Sequence, residues 1–230
     1  MVGRTLRSAI AQRYPRKEII VIDGASTDGT QDEVAKFSNA IATFISEPDK
    51  GVADAYNKGI RASHGDWVYF LNADDVFLSE TTLAEIFGGA SFEEYELVAG
   101  RVRAEDGRMF SGRFAWTLLM RNNVHHQALF YRGRLIRERN YNTQYRRYGH
   151  DHEHNLSLWK SGVKVAYVPN VVAEWRVGGI SDAATWRDYK EEFRVRRNVI
   201  GRAAWLWNGF TVLRYALKQV RRRLRGPVGG

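Results

Sequence analysis

Ile19-Ile20-Val21-Ile22-Asp23-Gly24-Ala25-Ser26-Thr27-Asp28-Gly29-Thr30 and Asp66-Trp67-Val68-Tyr69-Phe70-Leu71-Asn72-Ala73-Asp74-Asp75 are short apolar runs that both end in carboxylates. Runs of this length, rich in β-branched and aromatic residues, read as buried parallel strands. In an open α/β sheet, ligands bind just beyond the carboxyl ends of the strands. The two runs therefore predict one crevice where Asp23 meets the Asp74-Asp75 pair. Carboxylates at that place suit a cation that carries phosphates, or a polar nucleotide base.

Outward from these runs, strand and helix signals alternate, which predicts a parallel sheet in the first half. Thr5–Gln12 reads as a helix stopped by Tyr14-Pro15. Thr30–Phe37 and Ala53–Ala62 read as helices, with a short strand at Ala42–Ile45 between them. Ser79 is a suitable N-cap for a helix through Phe87. Leu97–Val102 and Ala128–Tyr131 read as strands beside the second half of the site. Asp151–Lys160 reads as a helix closed by Gly162. Val163–Val168 and Val171–Trp175 read as strands, and Trp186–Val199 and Ala203–Arg225 as helices.

The 230 residues suffice for one α/β domain with an appendage, and 44% hydrophobic with 27% charged residues is ordinary for a globular chain. There is no cysteine, so disulfides and thiolate metal sites are excluded. No signal peptide or apolar run of membrane-spanning length is visible. The net charge of +9 has a location. After Trp186 the chain holds twelve Lys and Arg against three acidic residues, while residues 1–186 hold twenty-three of each sign. A neutral body argues against one that tracks nucleic acid, which needs a basic groove of its own.

At these two carboxylate runs the chain resembles the family 2 glycosyltransferases of GT-A fold. Ser46-Glu47-Pro48-Asp49-Lys50-Gly51-Val52-Ala53-Asp54-Ala55-Tyr56-Asn57-Lys58-Gly59 is similar to that family's donor-binding segment. His126-Gln127-Ala128-Leu129-Phe130, Gly149-His150-Asp151-His152-Glu153 and Trp175-Arg176-Val177-Gly178-Gly179-Ile180-Ser181 follow in the family's order. The likeness covers roughly residues 4–182. It implies a Rossmann-like, mostly parallel sheet flanked by helices over residues 1–182, with residues 183–230 as a basic amphipathic helical tail. The family begins with an apolar strand before its first helix, whereas this chain begins almost at that helix. That reads as a displaced or truncated start, or a protein without a central strand.

The resemblance implies an inverting transfer of sugar from a nucleoside-diphosphate sugar to a glycan or lipid-linked glycan, in cell-surface or exported polysaccharide synthesis. It implies a divalent cation, Mg²⁺ or Mn²⁺, that stabilises the leaving diphosphate. The family's metal motif is two aspartates separated by one residue, and here Asn72 stands at the first position and Asp74 at the second. Asp74 is assigned to the metal, with Asp75 as support or second contact. Asp23 is implied to accept from a pyrimidine N–H, with Ser26 in the same loop. Asp28 reads as a helix cap rather than a ligand. Asp54, Asn57 and Lys58 share a helix face by their spacing, which suits ribose and diphosphate or a solvated surface. Asp151 is the candidate general base and Glu153 its alternative.

His150 and His154 share a helical spacing without the His-Glu-x-x-His arrangement of zinc hydrolases. His125 and His126 read as lining the acceptor or diphosphate side, or as structural histidines. Gly178-Gly179-Ile180-Ser181 is read as a loop that closes over donor phosphates, or as an ordinary turn. In the tail, Phe210, Leu213, Leu217, Val220 and Leu224 form one helical stripe with basic residues to one side. That pattern fits a helix lying on an anionic membrane, or one docked on its own domain with a solvated basic face. The expected location is the cytoplasm, with peripheral contact at the inner face of the cytoplasmic membrane. The rival reading is a catalytically silent, glycosyltransferase-like binding or scaffold protein. A basic-tailed nucleic-acid binder is disfavoured by the neutral body.

Overall fold

The computed structural model describes residues 1–145, 149–176 and 185–224, without the side chains of 221–224. Met1 leads into helix α1 (Val2–Ile10), after which β1 (Ile20–Asp23) pairs in parallel with β2 (Thr43–Ser46). Asp23 stands opposite Ser46 at the carboxyl end of that pair. Helix α2 (Thr30–Ala35) connects the two strands, and α3 (Val52–Ala62) follows. The βαβα order has the expected cause: short β-branched runs alternate with amphipathic segments that each bury one face.

A second sheet holds β3 (Trp67–Tyr69), β4 (Val76–Phe77), β5 (Leu97–Ala104), β6 (Met109–Phe110), β7 (Leu129–Arg132) and β8 (Val165–Trp175). Its order is β3-β7-β5-β8-β4, with β6 on β5. β5 and β8 pair in parallel, and the other pairings of this sheet are antiparallel. Among the described residues β1 and β3 belong to different sheets, so the parallel sheet expected of the first half divides there. The fold class nonetheless stands: an α/β sheet flanked by helices α4 (Thr82–Phe87), α5 (Gly133–Glu138), α6 (His150–Lys160), α7 (Trp186–Ile200) and α8 (Trp205–Leu224).

The core is built around β5, which is buried on both faces. Leu97 and Ala99 face a cluster with Leu129, Tyr131, Leu156 and Leu158, while Val98 and Val102 face another with Ile86, Phe130 and Val172. That arrangement follows the two-residue period of a strand.

Several boundaries differ from the sequence reading. Helix α4 starts at Thr82, because the Ser79 carbonyl and hydroxyl bind Thr82 and Thr81 instead of capping a longer helix. The two strands expected at Val163–Val168 and Val171–Trp175 are one strand, β8, and the irregularity appears as shifted register on β5 between Ala99 and Val102. Helix α5 has no counterpart in the sequence reading. The loop Gly178–Ser181 lies outside the described residues.

Candidate active site

Asp23 ends β1 and is buried, where its Oδ2 accepts from the Ser26 N–H at 3.0 Å and the Ser46 hydroxyl at 2.6 Å. Burial works to raise its pKa, but these hydrogen bonds outweigh it and hold the carboxyl below its ordinary value. Between Gly24 and Ser26 the chain turns through Ala25 at φ 63°, a left-handed conformation uncommon for a residue with a Cβ. The loop is further constrained because a side chain at Gly24 would meet the Asp49 carboxylate. Asp28 accepts from the Thr30 N–H at 3.1 Å in an Asx-type turn, but the N-cap of α2 is Gly29 and no side chain caps the helix, so the expected cap is not formed by Asp28.

On α3, Asp54 accepts from the Lys50 N–H at 3.0 Å. Its neighbours on that face turn inward. Asn57 is buried and clamps the backbone of Tyr141, donating to its carbonyl at 2.9 Å and accepting from its N–H at 2.8 Å. Lys58 is buried too, 2.9 Å from the Pro48 carbonyl and 3.1 Å from the Glu47 carboxylate. The spacing identified a shared face, but the side chains of Asn57 and Lys58 hold neighbouring segments of the fold.

The loop after β3 carries Asn72, Asp74 and Asp75. Helix α1 pins it: the Thr5 hydroxyl approaches the Ala73 carbonyl at 2.7 Å and the Asp75 carbonyl at 2.8 Å. Asp74 is exposed, whereas Asp75 is buried and its Oδ2 accepts from Gln127 Nε2 at 2.7 Å. Burial raises the Asp75 pKa more than Gln127 and Asn72 lower it. Among the described residues no three carboxylate or imidazole groups gather as a metal cage. A single exposed carboxylate still fits Mg²⁺ or Mn²⁺, which commonly use one or two protein carboxylates and fill the remaining positions with water and phosphate oxygens.

Asp151 lies in the first turn of α6, which Gly149 introduces at φ 87°, with the Tyr145 ring where a Cβ would sit. Its Oδ1 is 3.2 Å from His126 Nδ1 and 3.4 Å from His150 Nε2. Burial pushes its pKa up, and the charges of His126 and His150 more than reverse this, holding the group below the usual carboxylate range. Glu153 faces elsewhere: it accepts from the Tyr145 hydroxyl at 3.1 Å and from Asn198 of α7 at 3.1 Å. A separation of two residues on a helix puts the two carboxylates on different faces.

Three residues given no definite role by the sequence connect these parts. The Tyr56 hydroxyl donates to Asn72 Oδ1 at 2.8 Å, and its ring stacks on His126 at 4.7 Å and 6°. A short 3-10 turn at His126–Ala128 then sets His126 on Asp151 and Gln127 on Asp75. Adjacent residues of one turn thus reach both carboxylates. The quoted His126-Gln127 pair was the available signal, but its dual reach depends on contacts distant in sequence. His125 is separate, stacked on Trp175 at 4.6 Å. A cavity of about 400 Å³ lined by Arg101, Phe110, Arg113 and Tyr167 contains none of these carboxylates.

A family model described as "Glycosyl transferase family 2" matches residues 1–165. A PGL/p-HBAD biosynthesis glycosyltransferase of Mycobacterium tuberculosis is 32% identical over 189 residues, covering 75% of this chain and 70% of the relative. The putative teichuronic acid biosynthesis glycosyltransferase TuaG of Bacillus subtilis is 36% identical over 74 residues, 31% of this chain and 29% of that protein. S. aureus TarS 1-349 in complex with UDP-GlcNAc matches with a TM-score of 0.68 at 15% identity, over 86% of this chain and 61% of that one. This chain spans 36% of a longer TarS chain. The mannosyltransferase PcManGT from Pyrobaculum calidifontis, in complex with GDP-Man and Mn²⁺, gives a TM-score of 0.61 at 19% identity, over 95% and 71%. At such identities the two structural matches speak for the fold.

Proposed function

Since this chain is a glycosyltransferase that belongs to family 2, with a GT-A fold, we propose that it moves a sugar, with inversion, from a nucleoside-diphosphate sugar to a glycan or lipid-linked glycan. The synthesis of a cell-surface or exported polysaccharide is the setting that fits relatives named for glycolipid and teichuronic acid biosynthesis. The reading places the chain on the cytoplasmic side of the membrane that bears the acceptor.

The observation that carries the reading is the turn His126–Ala128, which ties half-buried Asp151 to the Asp74-Asp75 loop. In the proposed reaction Asp151 accepts the acceptor hydroxyl proton as that oxygen attacks the anomeric carbon. The bond from that carbon to the diphosphate oxygen breaks, and the nucleoside diphosphate leaves. A carboxylate held below its usual range stays ionised at neutral pH, and the same lowering weakens it as a base, so it takes the proton only as attack acidifies the hydroxyl. Glu153, engaged by Tyr145 and Asn198, is the weaker candidate. Asp23 and Ser26 are proposed to receive the nucleotide base, and Asp54 to face the ribose. Asn57 and Lys58 are proposed to shape the donor side through Tyr141 and Glu47.

Asp74 is proposed to hold the divalent cation, Mg²⁺ or Mn²⁺, with Asp75 fixed behind it by Gln127. Such an ion, when bound, neutralises charge on the leaving diphosphate. Titration calorimetry with metal and a nucleoside diphosphate tests this site. Asp74→Ala is expected to remove metal-dependent nucleotide binding while leaving the thermal transition in place. Unchanged binding would sink the assignment. Loss of metal-stimulated donor hydrolysis in the same variant would also dispose of the silent-scaffold rival.

A further inference from the structure

Helix α8 is mounted with its polar side inward. Arg196 of α7 is fully buried and donates to the Leu119 carbonyl at 2.6 Å, the Met120 carbonyl at 2.8 Å and Thr211 Oγ1 at 2.6 Å. It also reaches Asn208 Oδ1 at 3.1 Å and Glu192 Oε2 at 3.0 Å. Glu192 in turn accepts from the Thr211 hydroxyl and pairs with Arg214. Asn208, Thr211 and Arg214 thus form the side of α8 that docks on α7.

The opposite side is apolar and faces out. Trp205 is 71% exposed and Leu213 56%, and Leu206, Val212, Leu217 and Val220 are exposed with them. These positions recur at helical intervals along a helix about 30 Å long. The stripe foreseen from the sequence is shifted, because Phe210 is only half-exposed and Trp205, Leu206 and Val212 join it. Trp116 of the body, also exposed, lies 6.2 Å from the half-buried Trp207, on the docked flank of the helix and not on the outward face. A helix normally buries such a stripe, and an apolar face of this extent marks an interaction surface.

Charge identifies the partner. After Glu192 the sequence contains no Asp or Glu; Arg214 and Lys218 meet α7 through Glu192 and the Tyr189 ring, and Arg202, Arg221, Arg222, Arg223 and Arg225 add further positive charge to this stretch of sequence. A second copy would bring the same positive charge to the contact, whereas anionic headgroups oppose it. Among the described residues no helix is long and apolar enough to cross a membrane. Tryptophan rings suit the boundary between headgroups and acyl chains. We propose that the outward face of α8 beds in the plane of an anionic bilayer while the buried Arg196 fixes the helix to the catalytic body. Asn198 and the Val199 carbonyl of α7 touch Glu153 and Lys160 of α6, so the bilayer would sit at a set height relative to Asp151. Only this last consequence, presentation of a membrane-held acceptor, rests on the catalytic reading above.

The test uses the full chain and its Leu213→Glu/Leu217→Glu variant, checked for an unchanged thermal transition. Both are sedimented with phosphatidylcholine vesicles, with and without phosphatidylglycerol, at low and high salt. Light scattering measures their oligomeric state without lipid. The expected result is binding to the anionic vesicles that high salt weakens, and a loss of at least about tenfold in the variant. Leu213→Met/Leu217→Met should bind as the parent does. No binding to anionic vesicles, or equal binding by parent and Glu variant, overturns the proposal. A lipid-free dimer abolished by the Glu pair also overturns it, and assigns the face to a second copy. Donor hydrolysis in solution, expected to be equal in parent and Glu variant, reports separately on the Asp74 and Asp151 assignments.

Discussion

The two sheets of the molecule surround the candidate site with different packing. In the β1–β2 pair, Ile20, Val21 and Ile22 are half-exposed and Phe44 is exposed, with Asp23 buried at its end, and Asp74 stands in the open on the loop after β3. On the β5–β7 side, Leu97, Leu129, Tyr131, Leu156 and Leu158 are wholly buried, and Asp151 sits among His126, His150 and aromatic rings. The lesson is one of dielectric. A group that must exchange ions and a nucleotide with water gains from a wet rim. A group whose charge state must be fixed gains from a low-dielectric wall, where nearby charges act more strongly.

The sharpest break of this contrast is Asp151→Asn, which keeps shape and removes basicity. Turnover should fall roughly 10²–10⁴-fold, with donor affinity nearly unchanged, as read by steady-state kinetics beside calorimetry. Glu153→Gln should leave turnover within a few-fold. If it proves the crippling change, the base is assigned to the wrong face of α6.

The burial difference itself comes next. Leu129→Ala in the buried sheet should cost about 2–5 kcal/mol in denaturant unfolding. Val21→Ala on the open side should cost roughly 1 kcal/mol, because less area leaves water. Equal costs would show that the two sides are packed alike.

Acid should then find the buried half first. Burial lowers His152 to about 4 and His154 to about 3, against 6.5 for an ordinary histidine. The unfolded chain therefore takes up protons near pH 6.5 while the folded chain refuses them. Stability is present above that pH and declines as pH falls toward 4, by up to about 1.4 kcal/mol per unit for each histidine. Thermal melts across that range measure the slope. His152→Gln should flatten it.

The smallest effect concerns His126. His126→Asn removes the imidazole beside the half-buried Asp151, so the Asp151 pKa rises. The acid limb of the turnover profile should move toward neutral pH. An unmoved limb would mean that His126 supports the fold without tuning the base.

Much of the fold was legible because local chemistry announced it. The apolar run into Asp23, the helical period of α3 and the acidic start of α6 are patterns within a dozen residues. What escaped depends on distant partners. β3 turned antiparallel through pairing with β7, some sixty residues on. Pro169-Asn170 looked like a break, yet β8 runs through it because β5 absorbs the irregularity. Within the candidate site, the positions of Asp23, Asp74 and Asp151 at strand and helix ends were readable, and their proposed roles came from the family resemblance. The contacts of Tyr56 and Gln127 were not readable, since both are defined by side chains from other segments. Similarly, the stripe on α8 was readable, but which side faced inward was decided by Arg196 reaching across from α7.

The division between β1 and β3 also affects how the molecule opens with time. Among the described residues β1 has one laddered neighbour, and its other row of backbone groups lacks a strand partner. Local opening there breaks one ladder, whereas releasing β5 breaks pairings with β6, β7 and β8 together. In native-state hydrogen exchange the amides of Ile20–Asp23 should therefore trade with deuterium well before those of Leu97–Ala104. The loop that carries Ser26 continues directly from β1. The rim read as nucleotide-binding would then breathe on a faster clock than the wall that holds Asp151.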